Sequence, residues 1–453
     1  MSLTERFQRF FHVLDNRFEA YHLKQPSQVA GAQVAGAEAL GQPVPERWKL
    51  LIRDILAGMI VALIAIPLNV GFAIASNMRP EQGIAAGVIA SILGAVLGGS
   101  KFQVYGPTAA FITIIAGIVS QYDVPFLILA TLIAGVLLLF SGMFGLGRFF
   151  NIVPHSVIVG FTMGIAVTIM ITQLPEAFGV NGPEIAHHTV DRLAQLPDFF
   201  AQANGHALVL AILTFFIIRK LYQVSIYIPA PLIAILVGGF IANYVWDDNF
   251  MPLLSTKFGD ISHHMFALTL PSLGERSPLT LIGPVVSIYF IAALESLLSA
   301  KMADRLANNP TPFDPDKEFF GQATVNLIAP VLNGMPCTGA LARTAASIKV
   351  GAVSPLASFL MGIFTVVAML FFSSSLSVLP MACIGGLLVY VAMNMVKPDE
   401  VRHVRQEGWF HVFIMLFTAL MTIATDLMIA VISATVLHYA LKPVLDKKTK
   451  ANG

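Results

Sequence analysis

The chain has 453 residues, of which 56% are hydrophobic and only 12% are charged, against about 25% charged residues in ordinary soluble domains. This composition excludes a water-soluble globular protein. The formal net charge of +1 gives no bulk attraction to a polyanion such as nucleic acid. Two cysteines, Cys337 and Cys383, are too few for a disulfide framework and lack the spacing of a zinc site.

The first fifty residues differ in kind from the rest of the chain. Aromatic and leucine side chains recur at helical spacing between residues 7 and 21, with charged side chains between them. The pattern predicts a cytoplasmic amphipathic helix that lies on the membrane surface or docks on the protein itself, a separate partner being the alternative. Residues 25–45 are predicted to form a linker. Nothing here is typical of a removable signal peptide, so we expect the first span to direct insertion.

Apolar segments follow one another almost end to end between residues 54 and 441. A helix needs about 20 mostly apolar residues to cross the roughly 30 Å hydrocarbon layer. The sequence therefore predicts an all-α membrane protein with fourteen transmembrane segments, at residues 54–76, 83–99, 106–120, 125–147, 155–174, 207–222, 229–246, 281–303, 320–333, 337–350, 353–372, 376–396, 409–425 and 427–442.

The distribution of basic residues gives an independent test of this threading. An even number of spans places both termini on one side of the membrane. With a cytoplasmic N-terminus, 22 of the 27 Lys and Arg residues fall on the cytoplasmic side, as the positive-inside rule requires. We therefore expect a multi-pass protein of the inner (plasma) membrane with both termini, including a tail at residues 443–453, in the cytoplasm.

Two segments rich in helix-breaking residues, at 104–110 and 334–340, resemble each other. Aligning Pro107 with Pro336 gives an offset of 229 residues, which carries the first span to the start of the eighth. The chain is thus predicted to contain two seven-span repeats, at residues 51–246 and 281–442, joined by an extracellular connection at 247–280. Since seven is odd, the repeats are inverted relative to each other, as in many secondary transporters.

Each broken segment is predicted to begin a half-helix near the bilayer midplane, because proline is favoured in the first helical turn. Unpaired N–H groups and about half a positive charge at each N-terminus would then face one cavity. The alternative is that the prolines only kink two packed helices, but matched breaks in two repeats favour a binding site. Small residues would let an anion approach the backbone: Gly106, Thr108, Ala109, Ala110, Thr338, Gly339 and Ala340.

Two charged residues lie well inside predicted spans, where a charge costs on the order of 2.5–3.5 kcal/mol on insertion scales. Arg343 is predicted two turns into the tenth span, where its permanent charge suits an anion. Glu295 and Ser299 lie one turn apart on the eighth span and would either carry a proton or bind Na⁺. A purely structural ion pair between Glu295 and Arg343 is the alternative. No other metal or cofactor is expected, and no catalytic motif indicates an enzyme.

These motifs resemble the sulfate permease (SulP) family of anion transporters, whose animal relatives include pendrin and prestin. The resemblance covers about residues 50–442 and rests on motifs in both repeats, at residues 54–58, 65–67, 71–73, 98–100, 104–108, 295–304 and 334–344. Relatives normally continue into a cytoplasmic STAS domain, which we do not expect in the dozen or so residues that follow the last span. Many relatives also have Gln just after the first-span proline, where this chain has Leu68 and then Asn69.

The resemblance implies a fold like that of the uracil permease, with a core of spans 1–4 and 8–11 and a gate of spans 5–7 and 12–14. It also implies an elevator movement of the core against the gate, a homodimer, and cation coupling through Glu295, with Ser299 nearby. By this resemblance the anion site would be lined by residues of the first, third and tenth spans: Phe72, Thr108, Ala109, Thr338, Gly339, Ala340 and Arg343. We add Asn69 of the first span to this candidate site, where the chain departs from the family pattern.

The sequence as a whole predicts a secondary active transporter of a small inorganic anion. Bicarbonate is slightly favoured over sulfate, and Na⁺ or H⁺ is the expected coupling ion. The alternatives are an anion exchanger, a channel-like anion pathway, and a nucleobase–cation symporter of the same fold. Arg343 argues against the nucleobase, since a neutral ring needs no full positive charge.

Overall fold

A computed structural model of the chain describes residues 47–147, 153–180, 189–246, 252–259, 265–425 and 427–451. The predicted amphipathic helix at residues 7–21 and the linker at 25–45 lie outside this part of the chain. Helices dominate what is described, as expected where lipid leaves backbone polar groups no partner outside the chain.

The elements follow one another as helices with two short interruptions. In the first half they are α1 (Arg47–Ala75), α2 (Pro80–Leu97), β1 (Tyr105–Gly106), a 3₁₀ turn (Ala109–Phe111), α3 (Ile112–Gln121), α4 (Val124–Phe144), α5 (His155–Phe178), α6 (Thr189–Ala194), α7 (Leu196–Ala201), α8 (Gly205–Val224) and α9 (Ala230–Phe240), which continues as a π-helical turn (Ile241–Val245).

A short connecting helix, α10 (Leu254–Phe258), precedes the second half. The elements of the second half are a 3₁₀ turn (Pro278–Leu281), α11 (Ile282–Leu306), α12 (Pro315–Ile328), β2 (Thr338–Gly339), α13 (Leu341–Val350), α14 (Leu356–Ser377), α15 (Met381–Met395), α16 (Pro398–Gln406), α17 (Trp409–Ala424) and α18 (Leu427–Ala451).

The fourteen predicted spans correspond to fourteen of these segments. Seven described helices are long and apolar enough to cross a membrane alone, and five more apolar helices are shorter; α12 and α13 complete the set. In the tenth span, residues 337–340 are extended and the helix begins only at Leu341. The predicted domain boundaries stay predictions.

The two broken segments meet as a two-stranded antiparallel sheet. β1 pairs with β2, with Tyr105 opposite Gly339 and Gly106 opposite Thr338. Matching the two strands end to end, Tyr105–Gly106 with Thr338–Gly339, gives a shift of 233 residues. The same shift moves α4 to 357–377, almost onto α14. The offset of 229 inferred from the prolines holds for the half-helices, since it moves α3 (Ile112–Gln121) onto α13 (Leu341–Val350). The strands and the half-helices of the two repeats therefore differ by four residues in their shift.

The helices pack into two bundles, which correspond to the core and the gate. In the core, α1 packs on α2 and α14, and α12 packs on α4; in the gate, α5 packs on α15 and α17. Glycines bring helices close together in both bundles: a Cβ at Gly58 would lie 2.8 Å from the Ala357 carbonyl oxygen, and one at Gly386 would lie 2.3 Å from that of Ala211. Between the bundles, α1 packs against α9 and α15.

Candidate functional site

The paired strands place the starts of two half-helices side by side. The first begins at the 3₁₀ turn, with Thr108 as its N-cap, and the second begins at Leu341, with Ala340 as its N-cap. The prediction that each proline occupies a first helical turn was wrong, since Pro107 and Pro336 both precede their caps. Around each proline the chain is extended and continues into the strand pairing, and the Ala340 N–H donates to the Val104 carbonyl at 2.8 Å.

Neither half-helix is capped by its own N-cap side chain. Thr108 is a residue type that commonly caps helices, but its hydroxyl donates to Glu295 Oε2 at 2.6 Å, while Ala340 has no polar side chain. The first backbone N–H groups of both helices therefore lack the partner that a capping side chain supplies. Such uncapped N-termini bind anions readily.

Arg343 reaches from the second half-helix to the start of the first. Its guanidinium donates to the Pro107 carbonyl and, at 2.8 Å, to Asn69 Oδ1 on α1. The residue is only 2% exposed. It is the third residue of α13 and not two turns inside it, as predicted, because the helix begins later than Pro336. The positive charge thus lies where the two helix N-termini meet.

The guanidinium lies directly against the backbone of β1. Gly106 has a φ of +156°, and a Cβ there would be 2.7 Å from Arg343 Nη1. A larger residue would be strained in its backbone and would displace the guanidinium. Within the described chain no ion pair joins Arg343 to Glu295, so the purely structural pairing considered from the sequence is not the arrangement found.

We call β1, β2 and the starts of the two half-helices the crossing. Glu295 and Ser299 on α11 both face the crossing but contact different half-helices. Glu295 accepts from Thr108 of the first, whereas Ser299 Oγ lies 3.4 Å from Thr344 Oγ1 of the second. Thr344 Oγ1 also accepts from the Val104 N–H at 3.0 Å. α11 therefore contacts both half-helices one turn apart.

The remaining predicted site residues are buried around the same crossing. Thr338 donates its hydroxyl to the Ala292 carbonyl of α11 at 3.0 Å, and Gly339 pairs with Tyr105. Phe72 follows Asn69 by three residues on α1 and is 5% exposed, similar to Ala109 at 7%. No cluster of three or more His, Cys, Asp or Glu suited to a metal ion occurs among the described residues.

Sequence reasoning missed a second buried carboxylate next to the crossing. Glu318 in the first turn of α12 is fully buried, and so are Gln322 and Asn326 one and two turns later. Only Glu295 had been recognised as an acidic residue well inside a span, because the ninth span was predicted to begin at residue 320. Three polar residues at intervals of four in an apolar helix were the available signal.

Comparison with known proteins gives a consistent family. The model of the sulfate permease family matches residues 51–418. A putative sulfate transporter, YvdB of Bacillus subtilis, is 36% identical over 85% of this chain and 72% of its own length. The bicarbonate transporter BicA of Picosynechococcus is 24% identical over 83% of this chain and 68% of its own length.

Solved structures share the fold. The transmembrane domain of a cyanobacterial bicarbonate transporter, BicA, superposes with a TM-score of 0.76 at 22% identity, over 85% of this chain and 98% of that domain. The murine anion transporter Slc26a9 in an inward-facing state has a TM-score of 0.76 at 17% identity, over 96% of this chain and 75% of that one. These similarities show the architecture of two inverted seven-span repeats.

Proposed function

Since the chain belongs to the sulfate permease family of anion transporters, we propose that it is a secondary active transporter of a small inorganic anion. The anion would bind between the N-termini of the two half-helices, beside Arg343. The observation that carries the proposal is the position of this guanidinium, which donates to the residue just before the N-cap of the opposite half-helix. Two helix dipoles and one permanent charge then favour an anion at the same place.

We favour bicarbonate over sulfate as the substrate, because a single negative charge needs less compensation in a site that is only 2% exposed. Arg343 supplies one full positive charge, and each helix N-terminus adds about half of one. An uncompensated charge at this depth is costly. Relatives of this chain are named for both anions.

The contact between Glu295 and Thr108 would couple the anion to a cation. The carboxylate lies at the N-cap of the first half-helix, so its negative charge opposes the binding of an anion there. A proton or a Na⁺ ion on Glu295, with Ser299 supplying a further oxygen, would remove this opposition. The cation and the anion would then each favour the binding of the other.

An elevator movement would follow from how the bundles touch. At Gly71 of the core, the nearest side chains are Leu388 and Ile384 of the gate, and an added Cβ would lie 3.2–3.4 Å from them. Such an apolar contact has no directional bond to break when the bundles slide. The protein would act as a homodimer in the plasma membrane with both termini in the cytoplasm, which the distribution of basic residues supports.

Uptake by the purified protein in proteoliposomes tests these roles. We expect labelled bicarbonate to enter faster than sulfate, only with an inward Na⁺ or H⁺ gradient, and without competition by uracil. Arg343→Ala should lower uptake at least about tenfold, because a hydrogen bond to a charged group contributes about 1.5–3 kcal/mol. Glu295→Gln should abolish the effect of the cation gradient.

Three results would contradict the proposal. Wild-type uptake that is indifferent to both substitutions would refute the assigned roles. Uptake driven only by an anion on the opposite side would instead indicate an exchanger, and large unitary currents would indicate a channel. Arg343→Lys, which keeps the charge but loses the planar fork, is the matched control for charge alone.

A further inference from the structure

One face of α12 carries three polar residues that are all fully buried: Glu318, Gln322 and Asn326. Their spacing of four places them one above another along the helix. We call these three residues the polar stripe. None of them belongs to the proposed anion site, yet buried polar groups are costly unless they are hydrogen-bonded.

The first residue of the stripe holds the segment that leads into β1. Glu318 accepts hydrogen bonds from five donors: the backbone N–H groups of Gly99 and Ser100, the hydroxyls of Tyr105 and Ser296, and the Gln103 amide. The bonds from Gly99 and Tyr105 are both 2.8 Å. One carboxylate thus fixes both ends of the α2–β1 connection and a residue of β1 itself.

The other end of the stripe holds the segment that leads into β2. Asn326 Oδ1 accepts from the Cys337 N–H at 3.0 Å, and its Nδ2 donates to the Cys337 carbonyl at 2.9 Å. Gln322, with its amide oriented to suit its neighbours, donates to the same carbonyl at 3.2 Å and accepts from the Gly339 N–H at 3.3 Å. α12 therefore forms hydrogen bonds with both broken segments.

The side chain of Gln103, which donates a hydrogen bond to Glu318, also fills space beside the paired strands. A Cβ on Gly339 would lie 1.9 Å from Gln103 Nε2, so the amide occupies the place of a missing side chain in β2. Since Gln103 Nε2 donates to Glu318 at 2.9 Å, movement of the Glu318 carboxylate would change the positions of both strands.

We propose that the polar stripe is a positioning element that fixes β1 and β2 relative to each other and thereby sets the affinity for the anion. This inference rests on the proposed function. The Pro107 carbonyl, which accepts from Arg343, directly follows β1, and Arg343 itself lies four residues after β2. The stripe therefore sets the distance between the guanidinium and the opposite half-helix without touching the anion.

Glu318→Gln tests the inference with almost no change in side-chain volume. The amide nitrogen would face donors in place of an acceptor, so β1 should loosen. We expect the KM for bicarbonate uptake into proteoliposomes to rise at least about tenfold, with the maximal rate within about twofold of wild type. Hydrogen exchange should accelerate in residues 99–110 and 336–344 of the variant, a change that does not depend on transport.

A milder variant covers the case in which Glu318→Gln does not fold. Tyr105→Phe removes one of the five bonds and keeps the ring, so we expect a rise in KM of about two- to fivefold. The matched control is Asp54→Asn in α1. Asp54 is also fully buried and accepts bonds from Val353 and Ser354, which belong to neither strand. It should lower thermal stability and leave the KM unchanged.

The possible outcomes separate this inference from the proposed function. If the wild-type protein takes up neither bicarbonate nor sulfate, the proposed function fails, while the exchange measurement still tests the stripe. If wild-type uptake is normal and the Glu318 and Tyr105 variants keep its KM and its exchange pattern, the positioning role is refuted. An equal rise in KM for Asp54→Asn would also refute it, since any loss of stability would then have the same effect.

Discussion

The second helix of each repeat, α2 in the first and α12 in the second, packs beside the crossing in opposite ways. By the shift of 233 residues that relates the strands, the positions in α2 that are equivalent to the polar stripe of α12 hold three apolar residues: Ala85, Ile89 and Leu93. α2 approaches β1 through small residues, since a Cβ on Gly94 would lie 2.2 Å from the ring of Tyr105. α2 leaves space for the crossing through its small residues, and α12 supplies hydrogen bonds to the segments that form the crossing.

This difference shows that the two repeats share a backbone fold but differ in the polar and charged side chains that they contribute. The first half-helix carries no charged residue between Thr108 and Gln121, whereas the second carries Arg343 near its start. The positive charge and the polar stripe thus both come from the second repeat, while the first contributes the hydroxyl that meets Glu295. A two-fold backbone brings the half-helices together, and asymmetric side chains decide what binds there.

Making α12 resemble α2 should have the largest effect. The triple variant Glu318→Ala, Gln322→Ile and Asn326→Leu copies the α2 residues onto the stripe. It leaves several buried donors without an acceptor, each costing about 1–3 kcal/mol, so we expect a loss of at least about 5 kcal/mol of stability and no anion uptake. Thermal unfolding in detergent and proteoliposome flux are the measurements. A triple variant as stable and active as wild type would remove the basis of the comparison.

Filling the space that Gly94 of α2 leaves beside Tyr105 should lower the stability by less than the triple variant does. Gly94→Ala places a methyl group against the Tyr105 ring, and overpacking of this kind costs about 1–3 kcal/mol. Gly117→Ala in α3 is the matched control, since a Cβ there has no atom within 4 Å and alanine favours a helix. We expect the melting temperature to fall for the first variant and to stay or rise for the second. Equal melting temperatures would contradict the close approach.

Gly106→Ala should act on the proposed anion site itself. The added Cβ would meet the guanidinium of Arg343 at 2.7 Å, and a φ of +156° is unfavourable for alanine. We expect the KM for the anion to rise about tenfold, equivalent to about 1.4 kcal/mol, as measured by concentration-dependent uptake. An unchanged KM would mean that the guanidinium does not need its present position.

An ion pair outside the membrane should show the smallest effect. Arg276, on the connection between the repeats, donates at 3.0 Å to Asp123, the N-cap of α4, and both side chains are more than a third exposed. Exposed pairs contribute about 0–1 kcal/mol. Arg276→Ala should therefore change the melting temperature little and leave uptake at the wild-type rate. A large loss of uptake would show that the connection takes part in transport.

Much of the fold could be predicted because it depends on local composition. Apolar length located the spans, and an odd number of spans per repeat implied inversion. The strand register could not be predicted, because Tyr105 and Gly339 are far apart in the chain and two-residue strands have no periodicity. The prolines offered the visible similarity, but the structure shows that they flank the pairing and do not define it.

Part of the candidate site could be predicted for the same reason. Arg343 and Glu295 stand out in the sequence because a charge in an apolar span is rare and expensive. Their partners do not stand out: Asn69 is 274 positions from Arg343, and Thr108 is 187 from Glu295. Glu318 lies at the edge of a span, where a charge is ordinary, so its burial could not be inferred from its neighbours in the chain.

The sequence by itself determined that the chain crosses a membrane in two opposed halves and brings a permanent positive charge with it, since hydropathy and charge are properties of residues. Only the tertiary structure decided which groups meet that charge and which helix holds them in place. Hydrogen bonds form between atoms a few ångströms apart, and the chain brings Arg343 to Asn69 and Glu318 to Tyr105 only when both repeats have packed together.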